Sequence, residues 1–279
     1  MPIPEQPSRY FLLEELYECF NQRAYVAPDP LQTVLEYDAP ADREIVGLIA
    51  ASLAFGNVKQ ILASIGRILP ALGSPARYLA ETAPQTIQRR FRDFRHRYAS
   101  GADLAALLCG IQRVRAEYGS LEDCFVRALR AREEDVVTAL GDFTGALRVE
   151  PARPNFLLPH PARGSACKRL HLYLRWMVRR DAVDPGGWDH VDPAVLMVPL
   201  DTHMHRLTRR MALSQRRQAD ARTVREVTAG FRQWAPHDPA RYDFALTRLG
   251  IRREACGTEK FLTAWAHAPD SVPLHAHPM

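Results

Sequence analysis

The chain has 279 residues, 47% of them hydrophobic, and a formal net charge of +5 at pH 7. This composition excludes a disordered or fibrous chain and fits one large domain or two helical lobes that share a cleft. No apolar run approaches the roughly 18 residues of a membrane span, and the first residues lack the pattern of a secretory signal, so we expect a cytoplasmic protein without membrane contact.

The first half of the chain predicts helices only. Residues 9–27 have apolar positions at helical spacing, and the Pro-containing VAPDPLQ should end that helix. Asp42 is expected to cap a core helix over DREIVGLIAASLAF, and the following KQILASIGRILPALG repeats the pattern until Pro70 and Gly73 interrupt it. Five more helical segments follow up to residue 147, with no alternating β pattern, so the predicted fold class is all-α.

The second half begins with a connector, VEPARPNFLLPHPARGS, which contains four prolines. It leads into a helix that starts near Lys168. A loop rich in Pro, Gly and Asp, DAVDPGGWDHVDPAVLMVPL, then precedes the helix THMHRLTRRMAL. DARTVREVTAGFRQWA and DPARYDFALTRLGIRR are further predicted helices, and SVPLHAHPM is expected to be a loose tail.

Neither cysteine nor histidine spacing predicts a metal or cofactor site. The five cysteines are widely spaced and include no CxxC pair, which argues against a disulfide framework, a zinc site and an iron–sulfur cluster. His203 and His205 form a His-x-His pair, but side chains two residues apart on a helix point in different directions. We therefore predict no metal and no cofactor.

Lys168 is a candidate for chemistry because of its place at a helix start. Gly164 and Ser165 supply a turn before it, and backbone N–H groups at a helix start suit a phosphate. An amine that burial or a neighbouring cation such as Arg169 keeps unprotonated is also a nucleophile. The alternative is a solvated or phosphate-contacting lysine.

Asp201 is the second candidate. It follows Val198 and Leu200 and precedes a helix with an apolar stripe, so Asp201 or Thr202 is the predicted N-cap. The helix dipole stabilises a carboxylate in that position in its ionised form, which suits a group that accepts a proton or stabilises a cation. The alternative is an ordinary structural cap, and the two roles are compatible.

Arginines are concentrated on both sides of these two residues. Residues 163–180 and 206–217 each hold a basic cluster. Together with the net charge, these clusters favour a polyanionic partner such as DNA. The alternative is that they form solvated helix faces. Their members besides Lys168 are Arg163, Arg169, Arg175, Arg179, Arg180, Arg206, Arg209, Arg210, Arg216 and Arg217.

Three segments resemble the helix-hairpin-helix DNA glycosylases. LDTHMHRLTRRMAL resembles the VDTH-x-x-R-V-x-x-R-L-G-L stretch of the endonuclease III family, and GSACKR is similar to the hairpin glycine and lysine that precede it there. EIVGLIAASLAFGN resembles that family's early helix, ELLIAVLLSAQ, which ends at the DNA-facing loop. SACKRLHLYLRWMVRRD and PLDTHMHR also resemble an uncharacterised bacterial family, the DUF2400-type proteins.

The glycosylase resemblance implies a single two-lobed helical unit with a central cleft. Its parts would be a helical lobe over about 28–160, a hairpin and catalytic helix over 161–213, and C-terminal helices over 214–279 that pack with 1–27. Lys168 would attack the sugar of a damaged nucleotide in double-stranded DNA, and Asp201 would assist it. The implied DNA contacts are Gly164, Ser165, Arg169, Arg206 and Asn57, and the expected base-pocket residues are Trp188, Phe55 and Trp234.

Three features depart from endonuclease III. Lys168 and Asp201 are 33 residues apart, a separation nearer to that of archaeal 8-oxoguanine glycosylases, and PHPARGSAC replaces the hairpin LPGVG sequence. The four-cysteine iron–sulfur loop is also missing from the sequence. We expect a monomeric base-excision glycosylase with AP lyase activity, for which an oxidised purine is one candidate lesion. The alternative is a helix-hairpin-helix protein that binds DNA without removing a base.

Overall fold

A computed structural model describes residues 7–133, 135–149, 155–251 and 257–270. In these ranges the chain forms fourteen α-helices and one hairpin of two short strands. The prediction of an all-α fold is therefore confirmed. The tail SVPLHAHPM, which we expect to be loose, lies outside the described residues.

The helices are numbered in chain order, and the Pro-rich connector separates the ninth from the tenth. Those before it are α1 (Arg9–Phe20), α2 (Leu31–Val34), α3 (Pro40–Leu53), α4 (Val58–Leu72), α5 (Pro75–Glu81), α6 (Pro84–Arg90), α7 (Gly101–Tyr118), α8 (Leu121–Ala131) and α9 (Val136–Leu147). Those after it are α10 (Lys168–Val178), α11 (Thr202–Arg210), α12 (Ala221–Arg232), α13 (Asp243–Ile251) and α14 (Thr258–His267). Strand β1 (Arg95–His96) pairs antiparallel with β2 (Ala99–Ser100) between α6 and α7.

A first hydrophobic core surrounds α3, which packs against α2, α4, α5 and α10. Ile45, Leu48 and Ile49 of α3 are fully buried in it. A Cβ atom at Gly47 would lie 2.9 Å from the Cε atom of Met177, so this glycine permits α3 and α10 to approach closely. Gly47 therefore has a packing role in this helix.

A second hydrophobic core is built from helices at both ends of the chain, α1 and α11 to α14. Leu13 of α1 and Trp265 of α14 are buried in it together with Leu207 and Phe231. The helix α14 is absent from the sequence prediction. The Trp265 Nε1–H donates to the carbonyl of Met211 at 3.1 Å, which ties α14 to the end of α11.

A buried network of ion pairs joins the two cores. Arg175 of α10 pairs with Asp184 and with Asp243 of α13, and Arg179 pairs with Asp184 and Asp238. Neither arginine is more than 4% exposed. These two members of the first basic cluster are therefore structural, and the expectation that the whole cluster faces a polyanion is wrong for them.

Some predicted boundaries differ from the observed ones. Asp42 is not the N-cap of α3, because the helix begins at Pro40 and Asp42 instead accepts from the backbone N–H of Ala76 at the start of α5. Helix α4 runs through Pro70 and ends at Gly73, which has a left-handed φ of 63°.

No helix in the described ranges is both long enough and apolar enough to span a bilayer.

Candidate functional site

A cleft of about 680 Å³ is lined by segments from both cores. The end of α3 and the start of α10 contribute from the first core, and the start of α11 contributes from the second. Its lining residues are Ala54, Phe55, Gly56, Pro159, Ser165, Cys167, Lys168, Arg169, Leu200, Asp201, Thr202, His203, Arg206 and Ala219. Both candidate catalytic residues therefore lie in one cleft.

Lys168 is the first residue of α10, as the sequence predicts. A 3-10 turn (Pro161–Arg163) precedes it, and Gly164 at φ 75° and Cys167 at φ 43° both adopt the left-handed conformation. The backbone N–H of Ala221 donates to the Gly164 carbonyl at 3.0 Å, so the start of α12 holds this turn in place. The turn therefore fixes the backbone position from which Lys168 reaches the cleft.

Asp201 is the N-cap of α11, which confirms the predicted cap. Its Oδ1 atom accepts from the backbone N–H of Met204 at 2.8 Å. Its Oδ2 atom lies 4.0 Å from the Nζ atom of Lys168. One carboxylate oxygen thus fixes the side chain while the other faces the amine, so the structural and the chemical roles coexist in one residue.

The amine and the carboxylate are both reachable from solvent. The side chain of Lys168 is 29% exposed and that of Asp201 is 38% exposed. The chain has three lysines, Lys59, Lys168 and Lys260, and Lys168 is the one that lines this cleft. An amine beside a carboxylate at the start of two helices can attack an electrophilic carbon and pass its proton to the neighbour.

The loop after α3 forms one wall of the cleft through Phe55 and Gly56. Asn57 is exposed and is the N-cap of α4, where its side chain accepts from the backbone N–H of Lys59 at 2.9 Å. Asn57 therefore starts the next helix and does not end α3. Its side chain is not part of the described cleft lining.

The two arginines predicted to contact DNA differ. Arg169 lines the cleft, but its guanidinium donates to the carbonyls of Ser52 and Phe156 at 2.5 and 2.8 Å and lies 4.8 Å from the centre of the Phe55 ring. Burial lowers the pKa of Arg169 to about 10. Arg206 is exposed on α11 and lines the same cleft. Of the two, Arg206 is the one that is exposed in the cleft.

Trp188 and Trp234 do not line the cleft, contrary to the expectation that they belong to a base pocket. Trp188 is 3% exposed, and its ring stacks on Phe125 within the first core. Trp234 is 4% exposed and packs edge-on against Trp265 in the second core. The sequence places Trp188 in a polar loop, but that loop folds inward over α8. Phe55 is the predicted pocket residue that does line the cleft.

Two residues near the pair have no predicted catalytic role. His203 lines the cleft, while the Nε2 atom of His205 hydrogen-bonds to the carbonyl of Arg216, so the two histidines point in different directions. Asp243 lies in the buried network; burial raises its pKa to about 6 against the lowering effect of Arg175, and the charge of Asp201 raises it further. His203 could have been linked to the site from the sequence, because it lies two residues after Asp201. No sequence feature links Asp243 to the site.

Residues 29–252 match the model of a family described as "Protein of unknown function (DUF2400)". This match confirms the resemblance to that family noted from SACKRLHLYLRWMVRRD and PLDTHMHR. No curated protein matches the chain. No solved structure matches it either.

Proposed function

The chain belongs to the DUF2400 family, and because that family's description assigns no function, we propose one from the cleft itself: a DNA glycosylase with AP lyase activity. The observation that carries the proposal is the 4.0 Å approach of the Lys168 Nζ atom to the Asp201 Oδ2 atom in an open cleft. The resemblance of both flanking segments to helix-hairpin-helix glycosylases supports it. Double-stranded DNA with a damaged base is the proposed substrate of a cytoplasmic monomer.

The proposed reaction begins with an extruded nucleotide, because the glycosidic bond is inaccessible inside a duplex. The Lys168 amine, after giving a proton to Asp201, attacks C1′ with its lone pair. The glycosidic bond breaks, and its electron pair leaves with the base, which takes up the proton that Asp201 holds and so restores the carboxylate. Opening of the sugar ring then gives a Schiff base on Lys168. Loss of a C2′ proton expels the 3′ phosphate and nicks the strand.

Asp201 has two functions in this scheme. It accepts the proton of the Lys168 amine and passes it to the departing base, and the carboxylate restored in this way stabilises the positive charge on the sugar. Its hydrogen bond with the Met204 N–H fixes the carboxylate, so little reorganisation is needed when the charge appears. Arg206 and the backbone N–H of Ser165 are the proposed phosphate contacts beside it, because the Gly164 N–H already donates to the Pro161 carbonyl at 2.9 Å.

Borohydride trapping tests the proposal, because it reduces the Schiff base to a stable covalent adduct. The panel is duplex DNA with oxidised purines, oxidised pyrimidines or an abasic site, and 8-oxoguanine is the first lesion because of the resemblance to its archaeal glycosylases. We expect an adduct that is lost in Lys168→Gln. Lys59→Gln and Lys260→Gln are the matched controls and should keep the adduct, since both lysines are exposed and lie outside the cleft lining.

The outcomes separate the proposed enzyme from a DNA-binding protein. Base release without trapping would replace the lyase step with hydrolysis by an Asp201-assisted water. Binding to every duplex with neither base release nor adduct would overturn the enzyme and leave only DNA binding. An adduct that survives in Lys168→Gln would reject Lys168 as the nucleophile.

A further inference from the structure

Two large aromatic side chains lie exposed next to each other, beside residues of the first hydrophobic core. Tyr98 is 70% exposed and Phe156 is 56% exposed. Their ring centroids lie 6.1 Å apart, with an angle of 34° between the planes. The pair forms a continuous aromatic surface, here called the aromatic ridge, that contributes little to either hydrophobic core.

Buried polar groups hold the backbone beneath the aromatic ridge. His96, two residues before Tyr98, hydrogen-bonds to the Ser64 hydroxyl at 2.9 Å and to the Phe55 carbonyl at 3.1 Å. Arg169 donates to the carbonyl of Phe156 at 2.8 Å. The rings are therefore exposed on a fixed backbone, which is typical of a surface that receives a ligand.

Arg97 connects the aromatic ridge to the cleft. It adopts a left-handed φ of 51°, an unfavourable conformation for arginine, and its guanidinium lies 5.6 Å from the centre of the Tyr98 ring. Its side chain packs over Gly56, where a Cβ atom would lie 2.7 Å from the Arg97 Cδ atom. Since Gly56 lines the cleft, the ridge begins where the cleft wall ends.

A second groove, here called the arginine groove, borders the aromatic ridge at Asn155. It has a volume of about 580 Å³, and its lining includes the neighbour of Phe156, Asn155. Its one lining carboxylate, Asp103, accepts hydrogen bonds from the backbone N–H and hydroxyl of Ser100 as part of the α7 capping box. Three arginines contribute the positive charge: Arg92, Arg95 and Arg148. Arg95 and Arg148 also donate to the carbonyls of Phe94 and Leu158, at 2.8 and 3.1 Å.

Aromatic rings beside a basic groove are the combination that binds unpaired nucleic acid, because bases stack on the rings and the phosphates meet the cations. Resting on the proposed function, we infer that the aromatic ridge stacks on unpaired bases of the DNA strand that leaves the cleft, while the arginine groove holds that strand's phosphates. The substrate class is therefore damaged DNA with a few unpaired nucleotides beside the lesion. A fully paired duplex offers no free base face to Tyr98 and Phe156.

Binding of the full chain to two lesion-containing DNAs tests this inference. One is fully paired, and the other carries a four-nucleotide bubble beside the lesion with 2-aminopurine as one unpaired base. We expect the wild type to bind the bubble at least about 5-fold more tightly, since one stacked base contributes that much, and to quench the 2-aminopurine fluorescence. The double variant Tyr98→Ala/Phe156→Ala should lose both effects and keep its affinity for the paired duplex within about 2-fold.

Two controls separate the role of the rings from a general loss of structure. Tyr98→Phe keeps the aromatic face and should retain the preference for the bubble and the quenching. Phe11→Ala removes a ring that is 52% exposed but belongs to α1, a helix of the second core, and it should also behave as the wild type. Loss of the preference in either control would overturn a specific role of the aromatic ridge.

The failure of this inference is distinguishable from failure of the proposed function. Equal affinity of the wild type for both DNAs, or an unchanged preference in the double variant, overturns the aromatic ridge while borohydride trapping at Lys168 still supports the glycosylase. Absence of binding to either DNA overturns both. Quenching and preference that vanish only in the double variant support the inference.

Discussion

The Asp201 carboxylate joins two interactions: Oδ1 accepts the Met204 N–H at 2.8 Å, and Oδ2 lies 4.0 Å from the Lys168 Nζ atom. The cap keeps the side chain in one orientation, and in that orientation the second oxygen faces the amine. This arrangement places a potential proton acceptor and a potential nucleophile at the starts of α11 and α10. It also means that stability and chemistry can be separated by substitution.

Asp201→Asn should separate the contribution of Asp201 to stability from its contribution to chemistry. The amide oxygen of asparagine still accepts the Met204 N–H, so we expect a free energy of unfolding within about 0.5 kcal/mol of wild type. Asp201→Ala should cost roughly 1 kcal/mol, because the cap is lost. Both variants should lose borohydride trapping. Urea unfolding and trapping on the same preparations check this, and full trapping by Asp201→Asn would mean that Asp201 is only a cap.

The buried network between the cores should be sensitive to loss of an arginine. Arg175→Met leaves Asp184 and Asp243 buried with less compensating charge, and we expect a loss of about 3–5 kcal/mol in the free energy of unfolding. Arg180→Met is the matched control, because Arg180 pairs with Asp189 at the surface, and it should change stability by less than about 1 kcal/mol. Similar losses in both variants would contradict a structural role specific to the network.

His171 should make the protein less stable in acid. Burial, and then the charge of Arg225, lowers its pKa to about 4, and its Nδ1 atom is buried without a hydrogen-bond partner among the described residues. Because an unfolded histidine has a pKa near 6.5, its contribution is present above about pH 6.5 and is lost as the pH falls toward 4. Wild type should therefore lose roughly 2–3 kcal/mol more than His171→Leu between pH 7.5 and 4.5.

Chemical unfolding at several pH values measures this difference. Asp243, whose pKa burial raises to about 6, contributes in the opposite sense: its stabilisation is full below about pH 4 and is lost as the pH rises through about 6. That contribution is common to wild type and His171→Leu, so it cancels in the comparison. Parallel pH profiles for the two proteins would show that His171 takes up its proton normally.

Gly110 and Gly66 are both helical glycines in different surroundings. A Cβ atom at Gly110 of α7 would collide with the carbonyl oxygen of Leu147 at the end of α9, so Gly110→Ala should cost about 1–3 kcal/mol. At Gly66 of α4, which is exposed, a Cβ atom meets nothing within 4 Å. Gly66→Ala should stabilise the protein by roughly 0.5–1 kcal/mol. Thermal melting measures both, and a stabilising Gly110→Ala would contradict the observed packing of α7 on α9.

The sequence predicts those helices that begin or end at a capping residue, a turn residue or an apolar stripe within the helix itself. The apolar stripe and the capping side chain place α11 after Asp201, and the turn at Gly164 places the start of α10 at Lys168. The β1–β2 hairpin carries no alternating pattern because each strand has two residues. Its conformation depends on contacts made by His96 with Ser64 and Phe55, which no local pattern reveals.

The sequence predicts the two central residues of the candidate site, Lys168 and Asp201, but it does not separate the surrounding residues that line the cleft from those that are buried. Arg169, Arg175 and Arg206 have the same charge but different partners. Arg169 donates to protein carbonyls and Arg175 pairs with buried carboxylates, whereas Arg206 lines the cleft. Trp188 lies in a polar segment yet packs in a core, because the segment's neighbours bring it against α8. Burial and partner choice are set by the tertiary fold, so composition alone does not separate such residues.

Mapping the trapped adduct onto the chain tests the central proposal most directly. After borohydride reduction with lesion-containing duplex, the protein is digested, and mass spectrometry identifies which amine carries the sugar remnant. The chain offers three lysines for this bond, Lys59, Lys168 and Lys260, and its amino terminus. We predict the adduct on Lys168 alone. An adduct on another amine, or none with any lesion that the protein binds, would contradict the assignment of Lys168 and Asp201 as the catalytic pair of a lyase.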